Sequence, residues 1–129
     1  MALYVLRDVA TGFVLDSNLH GSVYTLPVNG GAFQKWFLLP TNTPGEFVFR
    51  DLATGLVLDS NTSGHVYTLG QNGGRFQSWA LRPSGIPGAL TLINAATGRA
   101  LDSNTSGNVY TLPPNGGSFQ KWVFIPTGI

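Results

Sequence analysis

The chain repeats itself at a fixed interval. Shifted by 43 residues, the segment Leu15 to Trp36 returns as Leu58 to Trp79 and again as Leu101 to Trp122. Three periods, about 1–43, 44–86 and 87–129, account for all 129 residues. Nineteen of the 43 positions are identical in every copy. They are Ala10-Thr11-Gly12, Leu15-Asp16-Ser17-Asn18, Gly21, Val23-Tyr24-Thr25-Leu26, Asn29-Gly30-Gly31, Phe33-Gln34, Trp36 and Pro40, with their equivalents 43 and 86 residues on. A repeat constrains topology more than local propensity does, because a short unit can bury its apolar face only against its neighbours.

Within a unit the pattern is short strands and turns. "YVLRDV" and "FVLD" flank Ala10-Thr11-Gly12, and "SVYTLP" and "FQKWFLL" flank Asn29-Gly30-Gly31. The runs are β-branched, aromatic and leucine, bounded by Gly, Asn and Pro. No useful length has helical spacing. Four strands per unit predict about 12 in all, an all-β fold. A β-propeller needs about four to eight blades, and the Trp-Asp dipeptide of propeller repeats is absent. Three four-stranded units closing around a pseudo-three-fold axis predict a β-trefoil, which also removes open sheet edges. "PTNTPGE" and "PSGIPGA" then connect the units.

Composition narrows the partners. Only 10% of residues are charged and the formal net charge is +1, against about 25% charged in an ordinary soluble domain. The seven basic residues are scattered, which argues against nucleic acid, a ligand that demands a concentrated basic face. No apolar run approaches the roughly 18 residues of a membrane span. Arg7 and Asp8 interrupt the opening stretch where a signal peptide would stay apolar, and compartment is left open. There is no cysteine, hence no disulfide framework or thiolate metal site.

Trp36, Trp79 and Trp122 read as core, each with an indole N–H needing an acceptor. Gln34, Gln77 and Gln120 read as buried amides tying strands together, and Phe33, Phe76 and Phe119 as packing. Asn29-Gly30-Gly31 suits a tight hairpin, yet every copy keeps Asn where Asp or Gly would serve, so ligand contact is expected. Asp16, Asp59 and Asp102 can form turns through the backbone two residues on, as can Asn18, Asn61 and Asn104. Asn would serve a turn as well as Asp, so function is favoured for the aspartates. Tyr24, Tyr67 and Tyr110 accompany them.

Asp, Asn and Tyr beside an apolar Leu26, Leu69 or Leu112 match the needs of a neutral sugar. A carboxylate accepts from two adjacent hydroxyls, and such charge-assisted bonds are roughly twice as strong as neutral ones. Asn both donates and accepts, Tyr supplies a hydroxyl and a ring, and Leu covers C–H surface. A misplaced hydroxyl leaves a buried polar group unpaired, which discriminates epimers. Catalysis is not expected. Glycoside hydrolysis needs two carboxyl groups about 5–10 Å apart, and the only other acid-bearing position reads Asp8, Asp51, then Asn94. His20 and His65 occupy different repeat positions, and the third copy has no histidine. Neither a Ser–His–Asp set nor a metal site is supported.

The thrice-repeated "LDSN…G.VYTL…NGG.FQ.W" resembles the ricin-B-type (Gln-x-Trp) β-trefoil lectins, and among them the actinohivin-like lectins for high-mannose glycans. The resemblance spans essentially the whole chain. It implies one shallow pocket per unit for α1,2-linked mannose, with no cofactor and no metal, on a monomer that meets glycans on glycoproteins or on cell and virus surfaces. It assigns the pockets to Asp16, Tyr24, Leu26 and Asn29; to Asp59, Tyr67, Leu69 and Asn72; and to Asp102, Tyr110, Leu112 and Asn115. The chain departs from the pattern in having Phe33, Phe76 and Phe119 where a Tyr precedes the Gln, and in the loop pairs Leu19-His20 and Gly70-Gln71. A galactose-specific lectin and a protein-binding trefoil scaffold are the alternative readings.

Overall fold

A computed structural model describes residues 2–128. The first unit runs through β1 (Leu3–Asp8), β2 (Val14–Ser17), β3 (Val23–Leu26), a 3-10 turn η1 (Ala32–Gln34) and β4 (Trp36–Pro40). The second follows as β5 (Glu46–Asp51), β6 (Val57–Ser60), β7 (Val66–Leu69), η2 (Arg75–Gln77) and β8 (Trp79–Pro83). The third is β9 (Ala89–Asn94), β10 (Ala100–Ser103), β11 (Val109–Leu112), η3 (Ser118–Gln120) and β12 (Trp122–Pro126).

Six strands close a barrel. β1 pairs with β4, β4 with β5, β5 with β8, β8 with β9, β9 with β12, and β12 returns to β1, all antiparallel. Closure pairs both edges of all six barrel strands, a safeguard for so weakly charged a chain. The hairpins β2–β3, β6–β7 and β10–β11 cap one end. This is the β-trefoil that the repeat predicts.

The core is built in layers of three. Leu6, Phe49 and Leu92 come from the first strands, Leu15, Leu58 and Leu101 from the second, Val23, Val66 and Val109 from the third. Trp36, Trp79 and Trp122 complete it with no exposure, and each indole N–H donates to a leucine carbonyl at 3.1 Å: Leu15, Leu58 and Leu101. The tryptophans thus fill the barrel and tie it to the hairpins.

At the cap, each hairpin leans on another unit. Thr25 N–H donates to Gly107 O, Thr68 N–H to Gly21 O and Thr111 N–H to Gly64 O, each at 2.9 Å. The approach demands glycine: a Cβ on Gly21, Gly64 or Gly107 would stand 2.8–2.9 Å from a threonine carbonyl oxygen, and all three have positive φ. That accounts for the glycine kept in every copy.

Two local expectations are corrected. Asn29-Gly30-Gly31 is not a tight hairpin turn, because β3 pairs only with β2 while β4 pairs with β1 and β5. Phe33 and Gln34 are not strand residues. The Asn29 side chain closes a turn onto Gly31 N–H, and the chain then enters η1 before Trp36 opens β4.

Candidate functional site

β2 and β3 pair with Asp16 opposite Tyr24 and Val14 opposite Leu26. The two-residue alternation of strands therefore sets Asp16, Tyr24 and Leu26 on one face, and turns Leu15, Ser17, Val23 and Thr25 to the other. Gln34 joins this face to the following loop. Its Nε2 donates to Asp16 Oδ2 at 2.8 Å and to Pro27 O at 3.1 Å, and its Oε1 accepts from Asn29 N–H at 2.9 Å. Gln77 makes the same three bonds at 2.9, 3.0 and 2.9 Å, and Gln120 at 2.9, 3.1 and 2.9 Å. One buried amide per unit thus ties the Asp of this face to the loop that carries Asn. The tie between elements expected of the glutamines is present, and its partner is the aspartate itself.

Each predicted residue contributes an unused group. Asp16, Asp59 and Asp102 are only 3–4% exposed, and each gives Oδ2 to its glutamine. Among the described residues no protein donor reaches their Oδ1 atoms, which are not sealed from solvent. They do not form turns. That work falls to Asn18, Asn61 and Asn104, each accepting two backbone N–H groups, and to Asp8, Asp51 and Asn94.

Tyr24, Tyr67 and Tyr110 donate their hydroxyls to the carbonyls of Ser17, Ser60 and Ser103 at 3.0 Å, leaving oxygen lone pairs. Burial first, and then the neighbouring carboxylate, raises each phenol above its ordinary range, so it stays protonated. Asn29, Asn72 and Asn115 spend Oδ1 on Gly31, Gly74 and Gly117 N–H at 2.7–2.8 Å, which leaves Nδ2 as a donor. Leu26, Leu69 and Leu112 are 44, 48 and 38% exposed. Phe33, Phe76 and Phe119, expected to pack with an edge at the site as the alternative, are 37–39% exposed, partly buried and partly open to solvent.

The second acid position lies behind the hairpin. Asp8 and Asp51 have no exposure. Asp51 Oδ2 accepts from Ser17 Oγ at 2.9 Å, and Asp8 Oδ2 from Ser103 Oγ at 2.8 Å, in both cases across a unit boundary. Burial outweighs these bonds and pushes both carboxyls up to about 6. Ser17, Ser60 and Ser103 have no role that local sequence pattern reveals. Their identity in all copies, beside an Asp/Asp/Asn column, was the available signal. Open clefts of about 280 and 420 Å³ adjoin the Asn–Gly–Gly loops of the second and third units.

No protein-family model matches the chain. Solved structures do. The designed three-fold symmetric protein ThreeFoil superposes with a TM-score of 0.88 at 29% identity, over 95% of this chain and 97% of its own. A structure of SeviL bound to asialo-GM1 saccharide gives 0.84 at 17% identity, over 97% of both chains. The BEL β-trefoil gives 0.84 at 18% identity, over 98% of this chain and 93% of its own.

Proposed function

We propose that the protein is a non-catalytic lectin with three sugar pockets. The observation that carries this reading is the threefold set of a glutamine-anchored carboxylate with one free oxygen, beside an amide donor, a phenol oxygen and an exposed leucine. A sugar hydroxyl can donate to Asp16 Oδ1 and accept from Asn29 Nδ2 while C–H surface rests on Leu26. A folding role alone gives no reason to keep that free oxygen in three copies. The saccharide held by SeviL supports the same use of this fold.

The sugar we propose is α1,2-linked mannose at the ends of high-mannose glycans, from the motif's resemblance to the actinohivin-like pattern. Each pocket is shallow and therefore weak, since few groups are desolvated and ordering costs remain. Three tethered pockets raise avidity by roughly 10²–10⁴ on a branched glycan surface.

A glycan array tests the specificity, with competition by mannobiose, galactose and lactose. Binding to galactosides alone would remove the mannose assignment and keep the lectin, and a blank array would favour the protein scaffold. Calorimetry with mannobiose should count three sites. Asp16→Ala, Asp59→Ala or Asp102→Ala should each remove one site while sharply weakening capture on a dense glycan surface. The triple Asp16→Asn/Asp59→Asn/Asp102→Asn variant, which leaves an amide oxygen to accept from each glutamine, should bind nothing and stay folded. One site per chain, or normal binding by the triple variant, would overturn the three-pocket reading.

A further inference from the structure

We infer that each pocket borrows one wall from another unit, and that the borrowed residue decides how firmly the second sugar of a chain is held. The residue is Asn108 for the first pocket, Ser22 for the second and His65 for the third. The link to sugar rests on the proposed pockets; the placement of the three residues does not.

The evidence is register. Ser22 bridges Tyr67, His65 bridges Tyr110 and Asn108 bridges Tyr24, all antiparallel and all across a unit boundary. On its other side each tyrosine faces its own aspartate: Tyr67 with Asp59, Tyr110 with Asp102 and Tyr24 with Asp16. Residues directly opposite in antiparallel strands share a face, with Cβ atoms about 4.5–5.5 Å apart. Aspartate, tyrosine and the borrowed residue therefore stand abreast in every copy. The threonine N–H after each tyrosine donates at 2.9 Å to the glycine carbonyl before the borrowed residue. Each bridge is thus a non-hydrogen-bonded pair, the kind in which side chains approach most closely. Each of the three also precedes its own unit's tyrosine by two positions, on the same face but roughly 6.5–7 Å along the strand. The other unit's tyrosine is the nearer one.

The frame is common to the three copies and the side chain is not. Ser22, His65 and Asn108 donate their backbone N–H groups to Oδ1 of Asn18, Asn61 and Asn104, each at 3.1 Å. The glycine before each is held by its threonine contact. Within the run Gly-x-Val-Tyr-Thr-Leu, x is the single position that varies between copies. All three residues are exposed, and among the described residues their side chains form no hydrogen bond. Three identical tetrads are in this way walled by three different chemistries.

The terminal sugar engages aspartate, asparagine and leucine on one side of the tyrosine. The borrowed residue lies on the other side, against the next sugar of the chain. The His65 imidazole and the Asn108 amide can each donate and accept, as a sugar hydroxyl does, and both carry their polar atoms at least two bonds beyond Cβ. Ser22 carries its hydroxyl one bond beyond Cβ, too short to reach a sugar resting against the Tyr67 ring. The first and third pockets therefore grip two sugars, and the second grips one.

The test uses double variants that leave one pocket each: Asp59→Asn/Asp102→Asn for the first, Asp16→Asn/Asp102→Asn for the second and Asp16→Asn/Asp59→Asn for the third. Calorimetry on each compares α-methyl mannoside with α1,2-linked mannobiose. The gain from the second sugar should be about three- to tenfold larger in the first and third pockets than in the second, the effect of about one neutral hydrogen bond. His65→Ser should lower the third pocket's gain to that of the second while leaving the second pocket, on its own unit, unchanged. Ser22→His should raise the gain of the second pocket and leave the first unchanged. Equal gains in all three pockets, or a His65→Ser effect on the second pocket in place of the third, would overturn the borrowed wall. NMR of the ligand-free protein should show contacts between the His65 and Tyr110 rings, and their absence would overturn the placement itself. If that contact is present and no one-pocket variant binds either sugar, the sugar reading fails and this specificity fails with it.

Discussion

Replacing Gln34 with Ala should damage one pocket and the domain together, by a calculable amount. Gln34 is 1% exposed and makes three hydrogen bonds. The bond to the Asp16 carboxylate is worth about 1.5–3 kcal/mol and the two neutral bonds about 1 kcal/mol each. Truncation also strips a buried carboxylate of its one protein donor and releases the Asn29 loop. The expected loss is about 3–5 kcal/mol, a large part of the 5–15 kcal/mol typical of a domain. In melting temperature that is on the order of 10–20 °C. Urea unfolding followed by fluorescence of the three buried tryptophans would measure it, and an unchanged m-value would assign the shift to native-state stability. In parallel, calorimetric stoichiometry for mannobiose should fall from three to two. A loss below about 1 kcal/mol with three sites intact would refute the anchoring role, since a buried amide with three real partners cannot be removed so cheaply.

Arg99 Nε donates to Thr111 Oγ1 at 3.2 Å and its Nη2 to Thr111 O at 2.8 Å, while Thr25 and Thr68 Oγ1 are buried without partners. Leu56→Arg, copying Arg99 into the second unit, should therefore stabilise by about 1 kcal/mol in urea titrations. Asp8 and Asp51 sit near 6 in the folded domain against an ordinary 3.8, so the folded state holds more protons between those values. Stability contributed by these two groups should be full below about pH 4 and decline as pH rises through 6; urea midpoints at pH 4.5 and 7.5 would show it, and Asp8→Asn/Asp51→Asn should flatten the difference. Chelation should leave glycan capture unchanged, because each unit repeats one carboxylate whereas calcium takes about six to eight oxygen ligands. A loss reversed by added calcium would refute that.

The repeat made the architecture legible. Nineteen shared positions separated core from loop, and the co-occurrence of Asp16, Tyr24, Leu26 and Asn29 in each copy marked the face and the loop that Gln34 ties together. What escaped were features set by contacts between units. Gly21 reads as a turn residue, yet its constraint is the carbonyl of Thr68 in the next unit. Asp51 reads as an incomplete catalytic partner, yet it meets Ser17 from 34 residues away. Phe33 stands two residues after a Gly–Gly pair that admits either a strand or a 3-10 turn, and its β-propensity suggested the wrong one. Local pattern determines the hairpin faces; partners across a boundary leave only the trace of an unexplained identity.

The ring of bonds at the cap has no first or last member. The first unit gives its threonine amide to the third, the third to the second, and the second to the first. A lone unit would hold one amide in want of a carbonyl and one carbonyl in want of an amide, placed so that only two further copies can satisfy both. The 43-residue unit is in that sense a tile with a built-in count of three, self-complementary around an axis and incomplete as a pair. Joined in one chain, the tiles offer unfolding no preferred starting edge. The amides of Thr25, Thr68 and Thr111 should exchange together, at the rate at which the whole ring comes apart.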